Sequence, residues 1–115
     1  MIMKTYQPGV KISVKAAADL VRHRFVRLDG NYAGADEKAM GVLEFDAAEN
    51  DQATVVCTGV ALVESGGVIT VTNNPVAVTS AANGQAAAVS AAEPVNGYAL
   101  DGASAQGELI RVLLA

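Results

Sequence analysis

The sequence predicts an all-β protein: a small β-barrel or sandwich of short antiparallel strands, with an internal hairpin repeat and at most one short helix. Three observations carry this. Turn-forming residues recur at short, regular intervals between β-branched runs, which is the spacing of a strand-rich chain. No stretch shows the sustained 3.6-residue periodicity of a long amphipathic helix. A strand–turn–strand pattern occurs twice, once over residues 41–57 and again over residues 97–114. Gly41 aligns with Gly97 and Asp46 with Asp101 if the second copy lacks one residue. Ala48 then falls on Ala103, Val55 on Ile110 and Cys57 on Val112. Two copies are too few for a solenoid, but they fit a fold with approximate internal two-fold symmetry.

The elements follow in order. Residues 1–9 contain Gln7-Pro8-Gly9, a turn former, and read as an N-terminal arm or loosely held edge segment before a single β domain over residues 10–115. Val10-Lys11-Ile12-Ser13-Val14-Lys15 alternates strictly, giving a half-buried strand with Val10, Ile12 and Val14 on one face. Residues 16–22 hold three alanines, which favour helix, but the segment is too short for more than one turn. Phe25, Val26 and Leu28 favour a strand that exposes Arg24 and Arg27 and ends at the Asp29-Gly30 turn. Residues 31–39 form a loop. After the first repeat, residues 59–63 continue as a strand, residues 64–67 turn, and Val68-Ile69-Thr70-Val71-Thr72 forms another strand, broken by Asn73-Asn74-Pro75. Residues 76–79 and 85–90 pair across Asn83-Gly84, a strong hairpin signal. The second repeat closes the chain, and its apolar ending, Val112-Leu113-Leu114-Ala115, docks in the core.

Composition bounds the function. A chain of 115 residues supports one core. Its apolar half is mostly Ala and Val, with two Phe, three Tyr and no Trp, so a monomer buries little large side-chain area and assembly would supply the rest. Cys57 is the single cysteine, which excludes a disulfide scaffold and fits a small buried hydrophobe. With no signal-peptide pattern and no apolar run long enough to span a bilayer, the protein is expected to be soluble and intracellular where it is made. Net charge is −4, yet seven of the eight Lys and Arg residues precede residue 40. This basic third could meet an acidic surface, or it could be a solvated face of mixed charge.

Catalytic, cofactor and metal chemistry are all expected to be absent. His23, the only histidine, lies between Arg22 and Arg24, which favour its neutral form, and it lacks the carboxylate and nucleophile of a triad. One Cys and one His cannot build a structural zinc site. Glu44, Asp46, Glu49 and Asp51 lack calcium-loop spacing and read as a solvated turn. No glycine run has the context of a phosphate cradle. Arg22, Arg24 and Arg27 with Phe25 could form a basic strip for nucleic acid, although the chain offers few aromatic rings for base stacking.

The stretches that carry a family likeness are Ala39-Met40-Gly41-Val42-Leu43, Val60-Ala61-Leu62-Val63 with Gly66-Gly67, the run from Val78 to Ala86 and, most fully, the closing segment from Asn96 to Leu114. Over residues 20–115 these stretches resemble the small head-decoration, or capsid cement, proteins of tailed bacteriophages and prophages. The resemblance implies a non-enzymatic, β-rich protein, made in the bacterial host cytoplasm and added to the outside of the assembled head. It also implies the major capsid protein lattice as partner and a homo-oligomer, with a trimer favoured, and no cofactor or membrane. The residues expected to contact a partner are Tyr6 and Pro8 on the arm, which could add a strand to a neighbouring sheet edge, and Lys11, Arg22, Arg24 and Arg27 on the basic third. A small nucleic-acid-binding β-barrel using those arginines is the alternative.

Overall fold

The computed structural model describes residues 7–115. Its strands are β1 (Gln7–Pro8), β2 (Lys11–Lys15), β3 (Phe25–Val26), β4 (Gly41–Leu43), β5 (Gln52–Val56), β6 (Gly59–Glu64), β7 (Val76–Ser80), β8 (Ala86–Ala88), β9 (Gly97–Ala99) and β10 (Leu109–Leu114). One sheet has the order β2-β5-β4-β3 and the other β1-β6-β10-β9-β7-β8. All strand pairs are antiparallel, and the sheets curl into a half-barrel. The C-terminal run is docked as expected, between β6 and β9.

Local chemistry explains most boundaries. Asn83 and Gly84 both adopt left-handed backbone, the conformation these two residue types tolerate best, and they turn β7 into β8 through a short 3-10 turn, Ala82–Gly84. The turn of helix allowed for residues 16–22 does not form. The Ala16 amide donates to Asp51 O at 2.9 Å, and Leu20 and Ala47 exchange both backbone bonds at 2.8 and 3.0 Å. Those bonds outweigh alanine's helix preference, which is only tenths of a kcal/mol per residue. The strand expected over residues 68–72 shrinks to one bridge between Ile69 and Ala103.

The internal repeat extends well beyond the two hairpins. The order β2-β5-β4-β3 in the first half recurs as β6-β10-β9-β7 in the second, so the chain is a tandem duplication of one four-stranded unit. Hydrogen bonds outside the ladders recur with it. Leu20 N donates to Ala47 O at 2.8 Å, and Ile69 N to Ala103 O at 2.9 Å. Ala33 N donates to Phe25 O as Val89 N does to Ala77 O, both at 3.0 Å. Met40 N reaches Val26 O at 2.9 Å, and Asn96 N reaches Val78 O at 2.8 Å. These pairs correct the sequence alignment. Gly41 does match Gly97, but Ala103 matches Ala47, and Val112, opposite Ala99, takes the place of Val55 opposite Leu43. The second copy is therefore one residue longer between its paired strands, not shorter.

The duplication also organises the core. In the first half Leu20, Val26, Leu43, Ala53 and Val55 form a small inner cluster. Their counterparts Ile69, Val78, Ala99, Ile110 and Val112 line the inner face of the second half. Phe25, Val42 and Val56, on the outer face of the first half, pack into that second inner face as one core. The two units are thus stacked head to tail. Val10 and Ile12, expected on a half-buried face, are exposed.

Candidate functional site

Where the two units meet, Arg22, His23, Val42, Leu43, Glu44, Phe45, Val56, Ala61 and Leu62 line a cleft of about 240 Å³. Strand parity places its floor: Val42 faces the junction, so Glu44, two residues on, faces it too. Glu44 is only 8% exposed, not the solvated turn residue expected from its neighbours. Lys11 Nζ lies 2.9 Å from Glu44 Oε2, while Oε1 has no hydrogen-bond partner among the described residues. Alternation along residues 42–44 was the signal that could have revealed this carboxylate.

His23 ties the halves together through its backbone. Its N–H donates to Leu43 O at 2.9 Å, and its carbonyl accepts from the Glu64 amide at 2.8 Å. Holding both bonds puts His23 at a φ of 68°, in the left-handed region that side chains with a Cβ rarely adopt. Burial lowers its pKa most, and the neighbouring Arg22 adds to that; a hydrogen bond to the Leu62 backbone and the carboxylates of Asp46 and Glu64 act the other way. The cleft thus holds a buried carboxylate and an imidazole that favours its neutral form.

The cations proposed from sequence do not gather into one strip. Arg22 donates to Asp46 Oδ1 through both its amide, at 2.9 Å, and its Nε, at 3.3 Å. Arg24 crosses to the second half, where its guanidinium meets Glu64 Oε2 at 2.8 Å. It also stands 5.5 Å over the Tyr32 ring. Glu64 accepts a further bond from Gln85 Nε2. Arg27 is held by Asp29 at 2.8 Å and by Glu37 at 3.5 Å. Lys11, Arg22, Arg24 and Arg27 therefore each meet a carboxylate; Arg22 lines the cleft, and Lys11 pairs with its Glu44. Pro8 lies in β1, paired with Gly59 on the edge of β6. Tyr6 lies outside the described residues. Among the described residues no cluster of three or more His, Cys, Asp or Glu side chains could hold a metal ion. The Cys57 thiol is half-buried, and that burial raises its pKa.

Comparison with known proteins agrees with this architecture. The fold is similar to the crystal structure of the N base of head fiber gp8.5 of bacteriophage phi29. The TM-score is 0.76 at 20% sequence identity, covering 92% of this chain and 93% of that one. No curated protein sequence matches significantly. A model of the phage cement proteins matches residues 3–114, nearly the whole chain. By that match, on a duplicated β scaffold of the kind described above, the chain belongs to the phage cement protein family.

Proposed function

We propose that this protein is a non-enzymatic component of the phage head that adds to the outside of the assembled capsid lattice and cements it. The observation that carries this reading is the family match over residues 3–114. The likeness of fold to a head-fiber base is consistent with it. The electrostatics support a protein surface as partner rather than nucleic acid. Lys11, Arg22, Arg24 and Arg27 already face carboxylates, so few counterions would be released on binding a polyanion. Contacts repeated over a regular lattice sum to firm attachment even when each is weak.

Co-sedimentation of the purified protein with shells of the source phage, compact precursors against expanded heads, tests the proposal. Saturable binding to expanded heads is expected. A folded protein that binds neither form would overturn the reading, and a salt-sensitive gel shift with DNA would then favour the nucleic-acid alternative. The arm enters the same assay. Gln7–Pro8 belongs to the sheet, so the informative truncation removes residues 1–6 alone. It should weaken shell binding and leave the thermal transition in place; unchanged binding would discount the arm as a contact.

A further inference from the structure

The duplication marks a place that is filled in one unit and open in the other. Outside β6, the edge of the second unit, lies β1, with Gln7 opposite Val60 and Pro8 opposite Gly59. The rest of that edge is met as well. The His23 side chain bonds the Leu62 backbone, and the Glu64 amide donates to His23 O at 2.8 Å. The counterpart of β6 in the first unit is β2, and the register sets Lys11, Ser13 and Lys15 in the places of Val60, Leu62 and Glu64. Among the described residues no strand lies outside β2. Val10 O accepts from Cys57 N, and Ala16 N donates to Asp51 O. By antiparallel alternation the backbone groups of Lys11 and Ser13 therefore point away from β5, towards the open side.

Natural sheet edges are blunted by inward-pointing charges or by bulges that twist the strand away. β2 has neither. Its pairing with β5 runs unbroken from Lys11 to Lys15, and the residues on its inward face are Val10, Ile12 and Val14. Val14 packs on the inner cluster, but Ile12 is 38% and Val10 58% exposed, whereas Ala61, in the place of Ile12, is 2% exposed. The two lysines stand on the opposite face. Lys11 is neutralised by Glu44 at 2.9 Å, while Lys15 makes no ion pair among the described residues. The edge thus offers open backbone groups, an uncovered apolar pair on one side and an unmatched positive charge on the other.

We infer that β2 is a strand-acceptor edge, to which an extended segment of the shell protein adds as a further strand alongside Lys11 and Ser13. The main-chain bonds supply attachment, as those of β1 do on β6. Side chains give the segment its character, because alternate residues of an added strand face opposite sides. Apolar residues on one side cover Val10 and Ile12, and an acidic residue on the other lies within reach of Lys15 across the new pair. The identity of the partner rests on the cement reading; the acceptor role of the edge rests on the duplication.

Hydrogen exchange and co-sedimentation with expanded heads of the source phage test it. In the free wild type the Lys11 and Ser13 amides should exchange fast, and on the heads both should become protected. Ser13→Pro removes the outward N–H and spares the bonds to β5, since proline is tolerated on an edge strand where its missing donor faces solvent. Ile12→Lys adds the inward charge that edges use to refuse a partner. Each should weaken binding to heads about tenfold or more, the scale of a lost interface anchor, and Lys15→Glu should weaken it in the same direction. A retained cooperative unfolding transition shows that a variant folds, and the exchange measurement on the wild type decides the matter without any variant. Heads that bind the wild type while Lys11 and Ser13 still exchange fast overturn the inference and leave the cement reading standing. A Ser13→Pro chain that binds as tightly as the wild type does the same. A wild type that binds no heads overturns both. Protection of these amides in the free protein that grows with its concentration would put a second copy on the edge, which also overturns the inference. A Lys15→Glu chain with unchanged affinity overturns the acidic residue assigned to the segment.

Discussion

At the scale of single residues, His23 carries the most constraint. Its left-handed backbone serves two hydrogen bonds that join the halves. Asn and Gly accept that conformation and β-branched residues do not. His23→Asn should therefore keep the fold, whereas His23→Val should lower stability by about 1–3 kcal/mol, read from chemical denaturation. The same residue gives stability a pH dependence. Its folded pKa lies below the ordinary value of 6.5, so the unfolded chain binds more protons there, and stability should fall as pH drops below about 6.5. His23→Asn should remove that component; an unchanged profile would rule it out. Glu93 works at lower pH. The amides of Ser90 and Ala91 and the Ser90 hydroxyl donate to its carboxylate, holding its pKa down to about 2. Its contribution is present above pH 4.5, its ordinary value, and is lost as pH falls through about 2. Glu93→Gln should flatten the acid limb in that window.

At the scale of elements, the repeated glycines show how the hairpins are built. A Cβ on Gly41 would overlap the Val56 carbonyl oxygen and lie 2.8 Å from Val55 Cγ1. A Cβ on Gly97 would lie 2.5 Å from Val112 Cγ1 and 2.7 Å from the Leu113 carbonyl oxygen. The two glycines occupy one environment, each letting its strand approach the partner closely. Gly41→Ala and Gly97→Ala should each cost about 1–3 kcal/mol through overpacking. Gly67→Ala, which meets nothing within 4 Å, should stay within about 0.5 kcal/mol. These glycines were legible in the sequence because the close approach of the partner strand leaves little room for a Cβ at either position. The register between the hairpin strands was not. Ala, Val and Ile recur so often in this chain that Val55 could be matched with Ile110 as readily as with Val112, and a two-residue shift keeps every side chain on its face. The rest of the duplication was hidden for a different reason. Phe25 corresponds to Ala77 and Lys11 to Val60, positions whose surroundings differ between the halves, so their chemistry has diverged although the backbone has not. Glu44 was misread because its sequence neighbours are loop acids, while the fold buries it at the junction of the halves and pairs it with Lys11.

At the scale of the whole molecule, the stacking makes the halves depend on each other. The first half keeps its inner cluster of Leu20, Val26, Leu43, Ala53 and Val55 when alone, but it would expose Phe25, Val42 and Val56, each now buried. Burying a side chain of this class contributes about 1.5–3 kcal/mol. Exposing three forfeits about 5–9 kcal/mol, a sum comparable to the entire stability of a small domain, about 5–15 kcal/mol. The second half loses the same contacts from the other side, together with β1, which pairs with β6 but precedes β2 in the chain. Peptides of residues 1–57 and 58–115 should therefore each lack a cooperative unfolding transition and dispersed amide resonances. Mixed in equal amounts, they should recover both, because the cut falls between β5 and β6 and leaves every strand pair available. A first-half peptide that folds cooperatively alone would show that its inner cluster suffices, and that the second unit is an addition to an already stable fold.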